Sequence, residues 1–492
     1  MPTLIIHQAG QDTSLSFDAP QPLTVLLRQA DISLPHPCGG RGVCGKCAVL
    51  LSGAVSAPSE AEQRFGVRLS CQAVVQGDAE VSLPTALPLM HIEGGKAANL
   101  SPVAPMPGRI GAAVDIGTTT IALQLYDLHT GQCVTTASMG NPQSRIAADV
   151  IGRIHAALQG QAALLQQMIE TAVKALVVNA CAQADVAFDQ VDALVVTGNT
   201  TMLYLLTGLD PSSLSRAPFA ADCLFGHETT LFGLRTYFPH CLHAFIGADT
   251  TCALLACGGI QTDRTILLCD VGTNGELALW RRGKLFMTST AAGPAFEGAG
   301  ISCGCASIPG AIDQVSIVGS QLHCHTIGNS KAVGICGSGL LDAIAAMLDV
   351  GILDETGYLE EETYPLRDGV TLNRKDVRAV QLAKAAIYAG IQCLLSAAGC
   401  SMDEVDTLYL AGGFGSHLNI HSAVRIGMLP AQLAGKVQVI GNAALDGAAM
   451  LLMNTAAQPA LLAMQEAAYH VSLDGNAEFA SLYIDAMMFD AE

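Results

Sequence analysis

Residues 111–127, GAAVDIGTTTIALQLYD, return at residues 266–280 as ILLCDVGTNGELALW. Each copy reads as an apolar strand, an Asp-Ile/Val-Gly-Thr turn and a second, alternating strand. Two further pairs follow in the same order. VDALVVTGN (191–199) matches VDTLYLAGG (405–413), and FIGADTTCALLACG (245–258) matches VIGNAALDGAAMLLM (439–453) more loosely. Matched elements in a constant order indicate an internal duplication. Beyond about residue 109 the chain is therefore expected to form two homologous α/β halves, 109–262 and 263–492. The second carries insertions near 295–335 and 351–373. Each half should open with a three-stranded meander, IGAAVDI, TTIALQLYD and QCVTTASM in one, TILLCDV, GELALW and KLFMTS in the other. Residues 145–182 and 374–399 read as helices, the latter amphipathic and ended by a glycine.

The turns of the duplicated hairpins carry the chemistry. Asp115, Gly117, Thr118, Thr119 and Thr120 lie where one strand becomes the next. Glycine lets backbone approach a phosphate, successive N–H groups form an anion nest, and threonine hydroxyls add donors. Asp115, at the strand end, can hold a magnesium ion through its waters. Asp270, Gly272, Thr273 and Asn274 repeat the device, and two such hairpins face to face would clamp a nucleotide's phosphate tail. One such turn alone is an ordinary tight hairpin; the pair at equivalent places is informative. Gly412, Gly413, Phe414 and Gly415 follow a strand and leave bare backbone against which a purine can lie. The equivalent turn at 197–200, TGNT, lacks the glycine run, which points to one nucleotide rather than two. Glu297, in GPAFEGAG, could orient the attacking water if its loop faces the phosphates, or could simply cap a helix. The GSG at 337–339 reads as a helix opening, and the thirteen histidines show no ligand spacing.

The N-terminal region is of another kind. PCGGRGVCGKCAVLLSG (37–53) and a later cysteine place Cys38, Cys44, Cys47 and Cys71 in a C-x5-C-x2-C-x23-C pattern. Three thiolates from one glycine-rich loop and a fourth from elsewhere is how a [2Fe–2S] cluster is held, although the first gap is one residue longer than in the plant-type rule. Four-cysteine zinc is the competitor, but structural zinc usually draws on two separated C-x2-C knuckles and one is present here. Flanking strands (TLIIHQ, SLSFDA, KCAVLLSG, AEVSLP) and a helix (TVLLRQADIS) fit a small α+β domain over residues 1–86. Residues 87–108 are rich in Pro and Gly and read as a linker.

Composition bounds the function. Hydrophobic residues make up 50% and aromatics 5%, so the cores are expected to be aliphatic. A formal charge of −19 argues against nucleic acid, whose phosphates reward basic faces. MPTLIIHQAG lacks the pattern of a signal peptide, and no membrane span is expected. Seventeen cysteines without an export signal point to the reducing cytoplasm, where most serve as small buried hydrophobes.

DIGTTT, DVGTNGE and LAGGFG resemble the two phosphate loops and the adenosine loop of the ASKHA ATPases, the superfamily of acetate and sugar kinases, heat-shock chaperones and actin. The resemblance implies a duplicated RNase H-like core behind a β-grasp ferredoxin-like domain. Joined to the cysteine loop, and with TGNTTM, STAAGPAFEGAGISCG, GICGSGLLD and VQLAKAAI, the chain resembles the reductive activators of corrinoid proteins. That resemblance implies ATP-dependent return of cob(II)amide to cob(I)amide, with the [2Fe–2S] cluster as electron donor. It implies ATP and Mg2+ at the clamp, and Asp115, Asp270 and Glu297 as catalytic residues. It also implies a corrinoid protein or corrinoid-dependent methyltransferase as partner and an upstream electron donor; a homodimer is left open. Two other readings stay in play: another ATP-driven electron injector, such as dehydratase activators that share one cluster between two subunits, and a ferredoxin-like carrier or sensor with a degenerate ATPase fold.

Overall fold

The computed structural model describes the chain except residues 9–10, 31, 33, 35–41, 43–46, 66, 84–97, 218, 260–261, 413–417 and 490–492. Near the N-terminus, Thr3–Gln8 pairs antiparallel with Gln11–Ser16 and parallel with Val74–Ser82, which pairs in turn with Ala48–Val55. Helix Leu23–Gln29 turns Leu23, Leu26 and Leu27 inward onto Leu4, Ile6, Val75 and Val81. The i, i+3, i+4 spacing of those leucines is what makes one face of the helix apolar. A mixed sheet packed on one helix is the expected β-grasp arrangement. A short helix, Glu60–Phe65, was not anticipated. Burial pushes the Glu62 carboxyl up, but the Leu69 and Ser59 N–H groups and Arg68 at 2.9 Å outweigh it and hold the acid below its ordinary value.

The two halves repeat one strand order. In the first, Ile110–Ile116, Thr120–Asp127 and Cys133–Gly140 form the antiparallel meander. Val191–Gly198 then runs parallel to Ile110–Ile116, and Leu234–Phe238 parallel to that. In the second, Ile266–Val271, Gly275–Arg281 and Lys284–Thr290 make the meander, with Thr407–Gly412 and then Val437–Gly441 added in parallel. The first strand of each half is apolar almost throughout because both its faces are covered. The insertions form two hairpins, Ala311–Val318 with Gln321–Thr326 and Thr363–Arg367 with Val370–Asn373.

The helix expected over 145–182 is broken into pieces. A 3-10 turn, Pro142–Arg145, precedes Val150–Ala156, and a π turn at Ala157–Gln161 separates that from Ala162–Gln183. The breaks have local causes: Pro142 opens the first turn, the Asp149 side chain caps Gly152 N, and Gly160 adopts φ 91°. Arg374–Ala397 is long and apolar enough to cross a membrane by length and composition, yet 72% of its apolar window is buried inside the fold. It is a core helix, opened by a capping box between Asn373 and Asp376.

Two equivalent helices, Ala248–Ala256 and Ala443–Met453, close the cleft floor. They meet backbone to backbone: a Cβ on Gly447 would lie 2.0 Å from the Cys252 carbonyl oxygen. Around them Ala113 and Val195 of one sheet, Leu268 and Ala278 of the other, and Ala448 and Leu452 form one core shared by both halves. The segment expected as a linker is divided. Residues 87–97 lie outside the described set. From residue 98 the chain is docked: Leu100 N bonds Gly131 O at 2.8 Å, Ala104 N bonds Met453 O at 3.1 Å and Met106 N bonds Leu452 O at 2.8 Å. Met106 is buried while Val103 is exposed, so the stretch is held by backbone bonds and one buried side chain, which a linker-like composition can still supply.

Candidate functional site

Both duplicated turns sit at the ends of paired strands and open onto one cleft. In the first, Gly117 N bonds Thr120 O at 2.9 Å; in the second, Gly272 N bonds Asn274 O at 2.9 Å. Glu297 joins them. Its Oε2 accepts from Thr119 Oγ1 at 3.3 Å and from Thr273 Oγ1 at 2.8 Å. The loop that carries it is set by the 3-10 turn Pro294–Glu297, which ends at Gly298 in the left-handed region (φ 73°). A Cβ at Gly298 would strike the Cys305 carbonyl at 2.3 Å, so glycine is required there. Thus Asp115, Gly117, Thr118, Thr119 and Thr120 are brought together with Asp270, Gly272, Thr273, Asn274 and Glu297 around a single opening.

The strand that precedes the glycine run lies beside the second hairpin. Gly412 pairs with Val271, has φ 101°, and a Cβ on it would lie 2.6 Å from Asp270 Oδ1. Gly413, Phe414 and Gly415 lie outside the described residues.

Carboxylates crowd the cleft floor. Desolvation first, then the charges of Asp249 and Asp270, push the Asp115 carboxyl up to about 7, against an opposing bond from Asn442 Nδ2 at 3.0 Å. Asp270 is pushed to about 7 by desolvation, Asp249 and Glu297, and Asp249 itself to about 6 by desolvation. Glu276, directly across the ladder from Asp270, is raised well above its ordinary value by desolvation and by Asp249 and Asp270. No lysine or arginine among the described residues relieves these four acids. Acidic side chains gathered without a counter-charge suit a hard divalent cation held largely through its waters, which needs only one or two direct carboxylates. Among the described residues no three ligand side chains converge tightly enough for a cage. The donor chemistry therefore fits Mg2+.

Asp249, Asn442 and Glu276 lie within the repeated segments but outside the glycine turns that mark the site in the sequence. The signal was available. Asp249 is an acid inside an apolar stretch at the start of Ala248–Ala256, and Asn442 caps the matching helix Ala443–Met453. Glu276 follows the DVGTNG turn as Ile121 and Ala122 follow the first, so only the second hairpin has an acid there.

Of the four candidate cluster ligands, Cys47 and Cys71 are described; Cys38 and Cys44 lie outside the described residues. The sulfurs of Cys47 and Cys71 are 3.3 Å apart and form no disulfide. Two thiolates on one tetrahedral metal with bonds near 2.3 Å would stand roughly 3.8 Å apart, so the pair is close to ligating geometry. The Gln72 amide donates to Cys71 Sγ at 3.7 Å, and Gly42, at φ 73°, brings the loop backbone against Gln72. These features fit an iron–sulfur cluster whose sulfur accepts a protein hydrogen bond.

Three regions of the chain match families of known proteins. Residues 6–76 match the 2Fe-2S iron-sulfur cluster binding domain, residues 110–261 the RACo middle region, and residues 264–492 the C-terminal domain of RACo, the ASKHA domain. The chain is 33% identical over 420 residues to the corrinoid activation enzyme RamQ of Eubacterium limosum, covering 77% of this chain and 70% of that one. It is 27% identical over 385 residues to the Co(II) methylated amine-specific corrinoid protein reductase of Methanosarcina barkeri, covering 70% of each. The solved structure of a reductive activator for a corrinoid, iron-sulfur protein superposes with a TM-score of 0.71 over 99% of this chain and 98% of that one, at 24% identity. The chain belongs to the family of reductive activators of corrinoid proteins.

Proposed function

We propose that this protein uses ATP to drive an electron from a [2Fe–2S] centre onto a corrinoid protein, returning cob(II)amide to cob(I)amide. The observation that carries the reading is the bridge from Thr119 through Glu297 to Thr273, which closes a two-hairpin phosphate clamp over a floor of unneutralised acids. Asp115 and Asp270 would hold Mg2+ through its waters, with Asp249 between them; the ion supplies charge neutralisation at the phosphates. Glu297, an acceptor already placed between the two hairpins, orients the attacking water. Gly412 and the glycine run after it receive the adenine.

In the N-terminal domain, Cys38, Cys44, Cys47 and Cys71 would hold the cluster, which supplies a one-electron donor when bound. Gln72 donates a hydrogen bond to the Cys71 sulfur and so tunes that donor. An uphill one-electron transfer costs about 1.4 kcal/mol for each 59 mV. ATP can offset that cost only through a state of the protein that binds one corrinoid ligation state in preference to the other. The partner is a corrinoid protein or a corrinoid-dependent methyltransferase, supplied by an upstream electron donor. None of the cysteines among the described residues forms a disulfide, which supports a reducing, cytoplasmic setting.

The test is direct. Cluster-loaded protein is mixed with a corrinoid protein in the cob(II) state and a reductant, with and without MgATP, and the visible spectrum is followed. Conversion to cob(I) only with ATP is expected. Equal conversion without ATP would replace this reading with a plain electron carrier.

A further inference from the structure

The first phosphate hairpin is anchored from behind by a buried cation. Gly117 O accepts from Asn141 Nδ2 at 2.9 Å, Thr118 O from Arg153 Nη2 at 2.5 Å, and Thr119 O from Asn141 N at 2.8 Å. In a trans peptide the C=O and the following N–H point in opposite directions. Successive carbonyls drawn back into the protein therefore turn the Thr118 and Thr119 N–H groups forward. Among the described residues neither N–H has a protein acceptor. Asn199 Nδ2, from the turn after Val191–Gly198, donates to Thr118 Oγ1 at 3.2 Å and fixes the side chain as well.

Arg153 is fully buried, in the first turns of Val150–Ala156. Its other donors reach Ala147 O at 3.1 Å, Gln143 Oε1 at 3.3 Å and Met202 Sδ at 3.0 Å, all neutral. Burial lowers its pKa to about 10, against the opposing charge of Asp149, which makes no hydrogen bond to it, so it stays charged at neutral pH. A buried guanidinium that hydrogen-bonds no carboxylate is costly to desolvate. The second hairpin has no such support: no cationic side chain among the described residues donates to residues 271–275.

We propose that Arg153 is a positioning residue for the phosphate tail. Its guanidinium holds the Thr118 carbonyl away from the cleft, so that the Thr118 and Thr119 N–H groups face the anion, and its charge lies behind them. The inference rests on the ATP-site reading above and deepens it, because it makes the first hairpin an electrostatic clamp rather than a steric one.

The test is calorimetric titration of the full-length, cluster-loaded protein with MgATP and with adenosine, which carries no phosphate. Arg153→Met should weaken MgATP at least about tenfold, as loss of charge-assisted donors does, and leave adenosine within about twofold. Arg153→Lys keeps the charge but cannot span Thr118 O, Gln143 and Ala147 together, so it should fall between. Loss of MgATP and adenosine binding in parallel, or unchanged MgATP binding by Arg153→Met, would overturn the proposal. Should Arg153→Met show no cooperative melting, Arg153→Lys decides by the same contrast: MgATP weakened with adenosine unchanged supports it, and any other pattern overturns it. Wild-type protein that binds neither ligand would sink the nucleotide reading and the proposal with it, whereas a failed contrast in the variants sinks the proposal alone.

Discussion

Replacing Asp249 by Asn should make the protein more stable and less active at once. Its carboxyl is pushed to about 6 by desolvation at the cleft floor, and it is the foremost charge acting on both Asp115 and Asp270. An acid whose folded pKa lies above its unfolded value near 3.9 leaves the folded chain with more bound protons over that interval. Stability from these groups is therefore greatest below about pH 4 and is lost as pH rises through 6 and 7. At pH 8 without metal, removing the Asp249 charge should recover roughly 1–3 kcal/mol, the lower end reflecting cleft water that screens it. Asn keeps an acceptor for the Thr250 N–H at 2.7 Å, so the start of Ala248–Ala256 is preserved. The assay is thermal unfolding in EDTA at pH 5 and pH 8, with the variant melting a few degrees higher at pH 8 and by a smaller margin at pH 5. MgATP hydrolysis should drop by about 10²-fold or more, as when a group that orients metal and water is lost. A variant that melts lower at both pH values, or one that hydrolyses ATP normally, would refute the argument that these acids await a cation.

Asp115→Ala and Asp270→Ala should each lower ATP turnover by roughly 10²-fold or more without altering the visible spectrum, because the clamp and the cysteines lie in different domains. Turnover and absorption measured on one preparation check this. Replacing Cys38, Cys44, Cys47 or Cys71 by Ala should bleach the anaerobically purified protein and remove its iron, while Cys257→Ala should leave both unchanged; zinc with no iron after reconstitution would end the cluster reading. Gly447→Val puts side-chain atoms where a Cβ already lies 2.0 Å from the Cys252 carbonyl. It should destabilise the ATPase core by about 3 kcal/mol or more, the scale of a backbone clash, and melting should shift with no loss of iron.

The duplicated halves were legible because their signal is local: alternating strands and a glycine turn repeat in the same order. The clamp followed from them, since Asp115 and Asp270 occupy matched turns. What the sequence did not disclose depends on three-dimensional approach. Asp249 and Asn442 reach the first hairpin's aspartate only because two helices far apart in the chain cross at Gly447. Arg153 sits in a helix whose spacing marks it as one polar residue among several, and nothing local says that it turns inward. Glu297 can be weighed from its glycine-rich loop, but that its carboxylate meets two threonines, one of them 178 residues away, is visible only in the structure. The 145–182 segment is helical from residue 150 on, but its interruptions stay hidden because Gly160 and the Asp149 cap each look tolerable inside a long apolar pattern.

The docked stretch from residue 98 also fixes where the N-terminal domain is tied. Its anchor is the end of Ala443–Met453, the helix whose other end supplies Asn442 to Asp115. Between Leu83, the last described residue of that domain's core, and Ala98 there are 14 residues, which span at most about 50 Å when fully extended. Chain connectivity alone thus keeps the N-terminal domain within that reach of the seam between the halves. That reach corresponds to an effective concentration on the order of millimolar for anything bound at the seam. Once a partner docks within that radius, delivery becomes a unimolecular event whose rate does not fall when the protein is diluted.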